Sequence, residues 1–159
     1  MLDSNKIVVG IADCAVAKKP LKLSTVGLGS CVGITVYDKK IHLGGLLHIM
    51  LPSIRQARLK ANPAKFADSG IEYLLEEVKK EGAVKRRLEA KIAGGASMFA
   101  NSSFNIGERN IRSVKQTFED LDIPIVAEDT GKNYGRTIIF DTSTGTLHIK
   151  SAFKGNKEI

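Results

Sequence analysis

Two strand-like runs, separated by three charged residues, constrain the fold of this chain most strongly. Residues 31–37 alternate apolar side chains with smaller or polar ones, and residues 41–50 form a second, mostly apolar run after Asp38-Lys39-Lys40. Alternation with a period of two is typical of a half-buried β-strand, and two runs joined by a short polar connection favour an antiparallel hairpin. We therefore expect a sheet built around this hairpin.

The rest of the chain predicts further strands and two helices. Asn62-Pro63 supplies an N-cap and a first-turn proline for one helix, which ends near Gly82. Because several strands precede the first helix, we expect an α+β fold with mixed sheets rather than a regular βαβ winding. The predicted strands are 7–12, 21–26, 88–92, 123–128, 137–141 and 146–150, and the helix faces are Ala67, Ile71, Leu74, Leu75 and Val78, then Ile111, Val114, Phe118 and Leu121.

Length and composition limit the function classes. With 159 residues, 43% of them hydrophobic, the chain has the size of one domain, predicted over residues 1–159. No apolar run approaches the ~20 residues of a membrane-spanning helix, and the first six residues lack a secretory pattern. Two cysteines and three histidines are a poor basis for a metal cage. We expect a cytoplasmic protein without metal or membrane insertion.

The net charge of +7 is concentrated in the first two thirds of the chain, around residues 55–65 and at Lys85-Arg86-Arg87. These basic runs lack interleaved aromatic residues for base stacking, and the chain has no Trp. We therefore expect no nucleic-acid partner. A solvated face or a docking surface for an acidic protein partner explains the same charges.

The hairpin predicts a pair of reactive side chains. If Lys39 and Lys40 are its two-residue loop, Cys31 falls directly opposite His48, with Cβ atoms ~4.5–5.5 Å apart. Two features weaken this register: Lys-Lys is not a favoured hairpin turn, and a bulge at Gly44-Gly45 would shift the pairing by one residue.

The same register separates the two faces of the hairpin. The apolar face is predicted to be the core: Val32, Ile34, Val36, Ile41, Leu43, Leu47 and Ile49. Cys31 and His48 share the other face with smaller or more polar residues, which could leave room for a substrate: Gly33, Thr35, His42 and Gly44.

A thiol beside an imidazole is the arrangement of a nucleophilic cysteine. A free cysteine is mostly protonated at neutral pH; an adjacent imidazolium lowers its pKa and creates the nucleophile, and a third group usually orients the ring through its other nitrogen. Thr25, just before the turn Gly29-Ser30-Cys31, is the candidate for that third group, because its hydroxyl can accept from a ring N–H. Gly29 also permits a tight turn with free backbone N–H groups beside the thiol of Cys31.

Each of these residues also has a purely structural interpretation. Cys31 and Cys14 could be inert buried thiols, and we favour that interpretation for Cys14. His48 could be a satisfied sheet residue and Thr25 an ordinary strand residue. Gly94-Gly95 is better explained by close backbone packing than by phosphate binding, since no Lys-Ser or Lys-Thr follows it.

Five segments, in order along the chain, strongly resemble the chemoreceptor glutamine deamidase family, CheD. These segments are residues 25–33, 44–52, 91–99, 106–110 and 127–137, and the resemblance spans nearly the whole chain. The sequence departs from the family pattern at Lys132, a position where the family pattern has a glycine. Cys31, His48 and Thr25 match the catalytic positions of the family.

The resemblance implies a function, a fold and partners. The implied activity converts specific glutamines of bacterial chemoreceptors to glutamates, with some hydrolysis of receptor methyl esters. The implied fold has two mixed β-layers flanked by helices (α/β/β/α), similar to the catalytic domains of glutamine-deamidating toxins. The implied partners are the helical cytoplasmic region of methyl-accepting chemoreceptors and a CheC-type phosphatase.

We expect an acyl-transfer mechanism that needs no metal, nucleotide or organic cofactor. Cys31 attacks the glutamine carboxamide, backbone N–H groups of the turn hold the oxyanion, and His48 transfers the protons. Two alternatives remain: a non-catalytic chemotaxis adaptor that binds receptor and CheC, and a cysteine peptidase or transamidase with the same pair of residues.

Overall fold

The computed structural model describes residues 5–57, 61–98, 105–152 and 154–159, so the end of the 91–99 segment lies outside it. The strands are β1 (Lys6–Val8), β2 (Asp13–Lys18), β3 (Lys22–Leu28), β4 (Val32–Asp38), β5 (Leu43–Ile49), β6 (Leu88–Gly94), β7 (Ile125–Thr130), β8 (Arg136–Asp141), β9 (Thr146–Ser151) and β10 (Gly155–Glu158). The helices are α1 (Ala67–Lys80) and α2 (Ile106–Asp120), with 3-10 turns at Ile54–Gln56, Pro63–Lys65 and Lys85–Arg87.

The strands form two five-stranded sheets. The first has the order β1-β3-β8-β9-β10 and the second the order β2-β5-β4-β6-β7. Each sheet contains one parallel pair, β1 with β3 and β6 with β7, among antiparallel pairs. The predicted α+β class with two mixed sheets is confirmed.

Two apolar clusters define the layers. One lies between the second sheet and both helices, with Ile71 and Leu74 from α1 and Val114 and Phe118 from α2. The other lies between the two sheets and includes Phe140. Within the described residues the layers therefore follow the order α/β/β, with both helices on the same sheet, whereas the family resemblance implied helices on both sides.

The two strands of the hairpin are antiparallel, as predicted, but their register differs from the predicted one. Gly33, not Cys31, lies opposite His48, and the last pair is Asp38 with Leu43. The loop therefore has four residues, 39–42, rather than two. The predicted opposition of Cys31 and His48 is wrong by two residues. Because a shift of two keeps every side chain on its face, the assignment of the two faces is unaffected.

The hairpin face with the smaller side chains is covered by protein, contrary to our expectation of open space there. The predicted apolar face does form the core against the helices. The opposite face packs against the first sheet: a Cβ on Gly33 would lie 2.6 Å from Ile138, and one on Gly44 would lie 2.7 Å from Phe140. These glycines let the sheets approach each other, so the room that we expected there for a substrate is filled by protein.

The boundaries of other helices and strands also differ from the predicted ones. Asn62 caps the 3-10 turn at Pro63–Lys65 by accepting from the Ala64 N–H, and α1 begins only at Ala67. Strands β2 and β10, which lie at sheet edges, were not predicted. Within the described residues, no helix has the length and apolar character needed to cross a membrane.

Candidate active site

A hydrogen bond between Thr25 and His48 joins the two sheets. Thr25 lies on β3 of the first sheet and His48 on β5 of the second, and both side chains are fully buried. Thr25 Oγ1 is 2.7 Å from His48 Nδ1 and 2.7 Å from the carbonyl oxygen of Val9. The contact predicted between the threonine hydroxyl and the imidazole is confirmed.

The partners of the Thr25 hydroxyl determine which ring nitrogen of His48 holds the proton. The Val9 carbonyl can only accept, so the single hydroxyl hydrogen donates to it, and the hydroxyl oxygen accepts from the Nδ1–H of His48. Burial lowers the pKa of His48, which favours the neutral ring. In that tautomer Nε2 holds a lone pair, and this buried atom has no hydrogen-bond partner among the described residues. Nε2 is therefore free to accept a proton.

Cys31 lies in the bend that leads into β4, two residues before the residue opposite His48. Its side chain is half-buried and packs against the cluster between the sheets, the side to which His48 also points. Because Nε2 of His48 has no hydrogen-bond partner within the described residues, the thiol is not bonded to it in this structure. Catalytic hydrogen bonds are often long before substrate binds.

The ionisation state of Cys31 follows from its surroundings. Burial raises the pKa of the Cys31 thiol, and a contact from the backbone N–H of Cys31 lowers this pKa by a smaller amount. The predominant form at neutral pH is therefore a thiol beside a neutral imidazole. Such a pair needs a proton transfer to make the nucleophile, and the free Nε2 of His48 is suited to it.

The turn before Cys31 is fixed by the end of β6. The Ala96 N–H donates to the Gly29 carbonyl and the Gly95 N–H to the Cys31 carbonyl, both at 2.8 Å. Gly94 has φ +111°, and a Cβ there would lie 2.4 Å from the Cys31 carbonyl oxygen. The prediction that Gly94-Gly95 serves close backbone packing is confirmed.

Asn110 on α2 is a contact of this turn that the sequence reasoning missed. Its Nδ2 donates to the carbonyls of Ser30 and Met50 at 3.0 Å each, and its side chain is fully buried. A signal was available: Asn110 precedes Val114 and Phe118 at four-residue spacing, so a polar residue occupies the apolar face of the helix.

Cys14 has different surroundings. It lies on β2 and packs against the cluster on the helix side of the second sheet, away from the face of His48. Burial and the nearby carboxylates of Asp13 and Glu77 raise the pKa of its thiol to about 11. This supports the interpretation of Cys14 as an unreactive side chain.

Exposed apolar side chains lie close to the buried pair and the turn. Val26 follows Thr25, and Ile11 precedes Ala12, whose N–H donates to the His48 carbonyl at 2.9 Å. Met98 lies beside Gly29, where an added Cβ would be 3.7 Å from its side chain. A small cavity of about 110 Å³ opens beside Ser30, lined also by Ala96, Ser97, Met98, Asn105, Ile106 and Gly107.

The fold and the site together define a class: a two-sheet α+β protein in which a threonine of one sheet holds a buried histidine of the other, near a half-buried cysteine. A family described as "CheD chemotactic sensory transduction" matches residues 50–151. The chain belongs to this CheD family.

Full-length relatives agree with the family assignment. A Methanosarcina acetivorans protein named "Probable chemoreceptor glutamine deamidase CheD 1" is 58% identical over 159 residues, all of both chains. A Methanosarcina barkeri protein named "Probable chemoreceptor glutamine deamidase CheD" is 56% identical over 95% of this chain and 100% of its own length. A Clostridium botulinum protein of the same name is 52% identical over 99% of this chain and 100% of its own.

Proposed function

We propose that this protein is a chemoreceptor glutamine deamidase in which Cys31 is the nucleophile, His48 the general base and acid, and Thr25 the group that orients His48. The names of its relatives support the reaction and the substrate class. The observation that supports the residue roles best is the hydroxyl of Thr25, which holds the proton of His48 on Nδ1 and leaves Nε2 free.

In the first half of the reaction, Nε2 of His48 accepts the thiol proton as the sulfur of Cys31 attacks the carbon of a glutamine carboxamide. The carboxamide oxygen becomes an oxyanion, which backbone N–H groups of the turn, that of Cys31 among them, stabilise by hydrogen bonds. Nε2 then returns the proton to the nitrogen. The carbon–nitrogen bond breaks, ammonia leaves and a glutamyl thioester remains.

In the second half, His48 deprotonates a water that attacks the thioester carbon. The carbon–sulfur bond breaks, the sulfur recovers a proton from Nε2, and the product is a glutamate side chain. A receptor methyl ester would follow the same course with methanol as the leaving group. We therefore include methyl ester hydrolysis in the proposal.

The surroundings of the site support a protein substrate. Val26, Ile11 and Met98 are each about half or more exposed, next to the elements that hold Thr25, His48 and Cys31. Exposed apolar side chains grouped around a small site are typical of protein-contacting surfaces. We propose that this surface contacts the helical cytoplasmic region of methyl-accepting chemoreceptors, and that a CheC-type phosphatase competes for it.

The test is incubation of the purified protein with a cytoplasmic chemoreceptor fragment, followed by peptide mapping. We expect the mass change of amide to acid at discrete glutamines, with release of ammonia. The Cys31→Ala variant is the matched control. Backbone cleavage instead would indicate a peptidase, and binding of the fragment without any modification would indicate an adaptor; either result contradicts the proposal.

A further inference from the structure

Three successive peptide carbonyls of the nucleophile turn are held by groups outside it. The Gly29 carbonyl accepts from Ala96 N–H and the Cys31 carbonyl from Gly95 N–H, at 2.8 Å each. Between them, the Ser30 carbonyl accepts from the side chain of Asn110 at 3.0 Å. The outer two bonds come from the backbone, so the middle one alone depends on the identity of a side chain.

The geometry of the peptide bond makes this middle contact important for the chemistry. In a trans peptide the C=O and the N–H are fixed in one plane and point in opposite directions. The Ser30 carbonyl and the Cys31 N–H belong to the same peptide unit. Holding the carbonyl against α2 therefore points the Cys31 N–H away from α2.

We infer that Asn110 is a positioning residue: it fixes the Ser30–Cys31 peptide so that the Cys31 N–H points at the reacting centre, a role that rests on the function proposed above. In the free protein that centre is the sulfur of Cys31. In the tetrahedral intermediate it is the oxyanion. The contact of the Cys31 N–H with its own sulfur, which opposes the rise in the pKa of the thiol, supports this orientation.

Asn110 also connects the nucleophile turn to the strand that contains His48. The second hydrogen of its amide goes to the carbonyl of Met50, two residues after His48, at 3.0 Å. One side chain thus sets the position of both segments relative to α2. A buried amide with only one end satisfied costs free energy, and the Oδ1 of Asn110 has no partner within the described residues. The two donated bonds are therefore the contribution that this side chain makes.

Gly107 at the start of α2 and Gly95 just after β6 allow the helix to lie close enough for these contacts. A Cβ on Gly107 would lie 2.4 Å from the Ala96 carbonyl oxygen, and a Cβ on Gly95 would lie 2.4 Å from the side chain of Ile111. The first turns of α2 are therefore pressed against the segment that holds the nucleophile turn. Asn110 projects from that closely packed region.

The test compares Asn110→Ala with Ser113→Ala in a Cys14→Ala background. Ser113 is a matched control because it lies one turn further along α2 and also donates to a backbone carbonyl, that of Pro52 at 2.6 Å, without touching the nucleophile turn. Asn110→Ser, which keeps one donor on a shorter side chain, serves as a second variant if Asn110→Ala does not fold.

Two readouts separate positioning from simple stability. The first is the rate of Cys31 alkylation by iodoacetamide as a function of pH, which needs no receptor. For Asn110→Ala we expect the alkylation profile to move to higher pH, because the thiolate loses its N–H donor. The second is deamidation of the receptor fragment, where we expect kcat to fall about 10- to 100-fold at nearly constant KM, somewhat less than removal of an oxyanion donor.

The control and the alternatives give distinct results. Ser113→Ala should lose stability, because it removes one neutral hydrogen bond from the fold, but keep the wild-type alkylation profile and kcat within about threefold. An Asn110 variant that loses stability yet alkylates and turns over like Ser113→Ala would overturn the inference. A shifted alkylation profile in a protein that never deamidates the fragment would instead contradict the proposed function and leave the positioning role intact.

Discussion

The hydroxyl of Thr25 on one sheet lies 2.7 Å from Nδ1 of His48 on the other, with the Val9 carbonyl as its second partner. This contact fixes the tautomer of a fully buried imidazole from a position 23 residues away in sequence. It also means that the orientation of the proposed base depends on how the two sheets pack.

Thr25→Val should lower kcat with little change in KM. The substitution keeps the shape of the side chain but removes the acceptor for the Nδ1–H of His48. A neutral hydrogen bond contributes ~0.5–1.5 kcal/mol, so the direct loss is roughly 2- to 12-fold, and misplacement of the ring can extend it to ~100-fold. Steady-state kinetics of ammonia release from a receptor fragment measure it.

Two variants control for the effect of Thr25→Val. Thr25→Ser keeps the hydroxyl and should retain most of the activity. Ser24→Ala removes the neighbouring hydroxyl, which donates to the Ile138 carbonyl at 3.0 Å rather than to His48, and should leave kcat unchanged. A raised KM at constant kcat in Thr25→Val would assign Thr25 to substrate binding instead.

Cys31→Ala should abolish deamidation and leave the fold intact, because it removes only one half-buried sulfur of a free cysteine. Cys14→Ala should retain most activity, since Cys14 packs on the other side of its sheet. Circular dichroism and thermal melting check the fold, and peptide mapping checks the activity. Equal loss of activity in a folded Cys14→Ala protein would mean that the nucleophile is wrongly assigned.

The pH dependence of kcat/KM should be a broad bell. The reactive form has one proton shared by the thiol of Cys31 and the imidazole of His48. Burial lowers the pKa of His48, so activity should persist below pH ~6.5 and fall only as the pH drops through that lowered pKa.

The alkaline side of the bell should belong to Cys31. Because burial raises the pKa of its thiol, the single proton is lost only above the ordinary range for cysteine. A rate profile over a wide pH range, with stability measured at each pH, tests both limbs. An acid limb above pH ~6.5 would contradict a buried, neutral His48.

Gly94→Ala should destabilise the protein and slow catalysis. Gly94 has φ +111°, and a Cβ would meet the Cys31 carbonyl oxygen at 2.4 Å. Backbone strain of this kind costs ~1–3 kcal/mol, and relief of the clash must move the nucleophile turn. Chemical denaturation gives the free energy of unfolding, and turnover of the receptor fragment gives the loss in rate.

Gly10→Ala is the matched control for Gly94→Ala. Among the residues that the structure describes, no atom lies within 4 Å of a Cβ at Gly10, and the φ of Gly10 is outside the left-handed region. We expect its free energy of unfolding and kcat to stay close to the wild-type values. If Gly94→Ala behaves the same way, the turn is not held as tightly as these contacts indicate.

The register of the hairpin could not be obtained from the local sequence. Asp38 ends β4, and its carboxylate accepts from the N–H groups of Lys40 and Val84. Arg87 binds the same carboxylate at 2.8 Å, although it lies 49 residues away. These contacts favour a loop of four residues in which His42 adopts φ 51°. The local sequence alone favours a two-residue loop, but the contacts of Asp38 with Val84 and Arg87 stabilise the four-residue loop instead.

The edge strands and the contacts of Asn110 likewise could not be predicted from the local sequence. Strand β2 has a mostly half-exposed pattern and β10 is exposed throughout, so neither shows the periodicity of a buried strand. Each pairs with a neighbouring strand, β10 with β9 and β2 with β5. Asn110 lies in a segment of recognised resemblance, but its two acceptors, Ser30 and Met50, are 80 and 60 residues away.

The sequence by itself determined which side chains share a face, because alternation with a period of two survives a register shift of two residues. It placed Cys31 and His48 on one face of the hairpin, and the position of Thr25 just before the glycine turn made Thr25 the third member of the candidate group. The tertiary structure alone decided the distances within that group, the filling of the glycine-rich face by the first sheet, and the contacts of Asn110 with the nucleophile turn. Those features depend on contacts between residues far apart in the chain, which local periodicity does not encode.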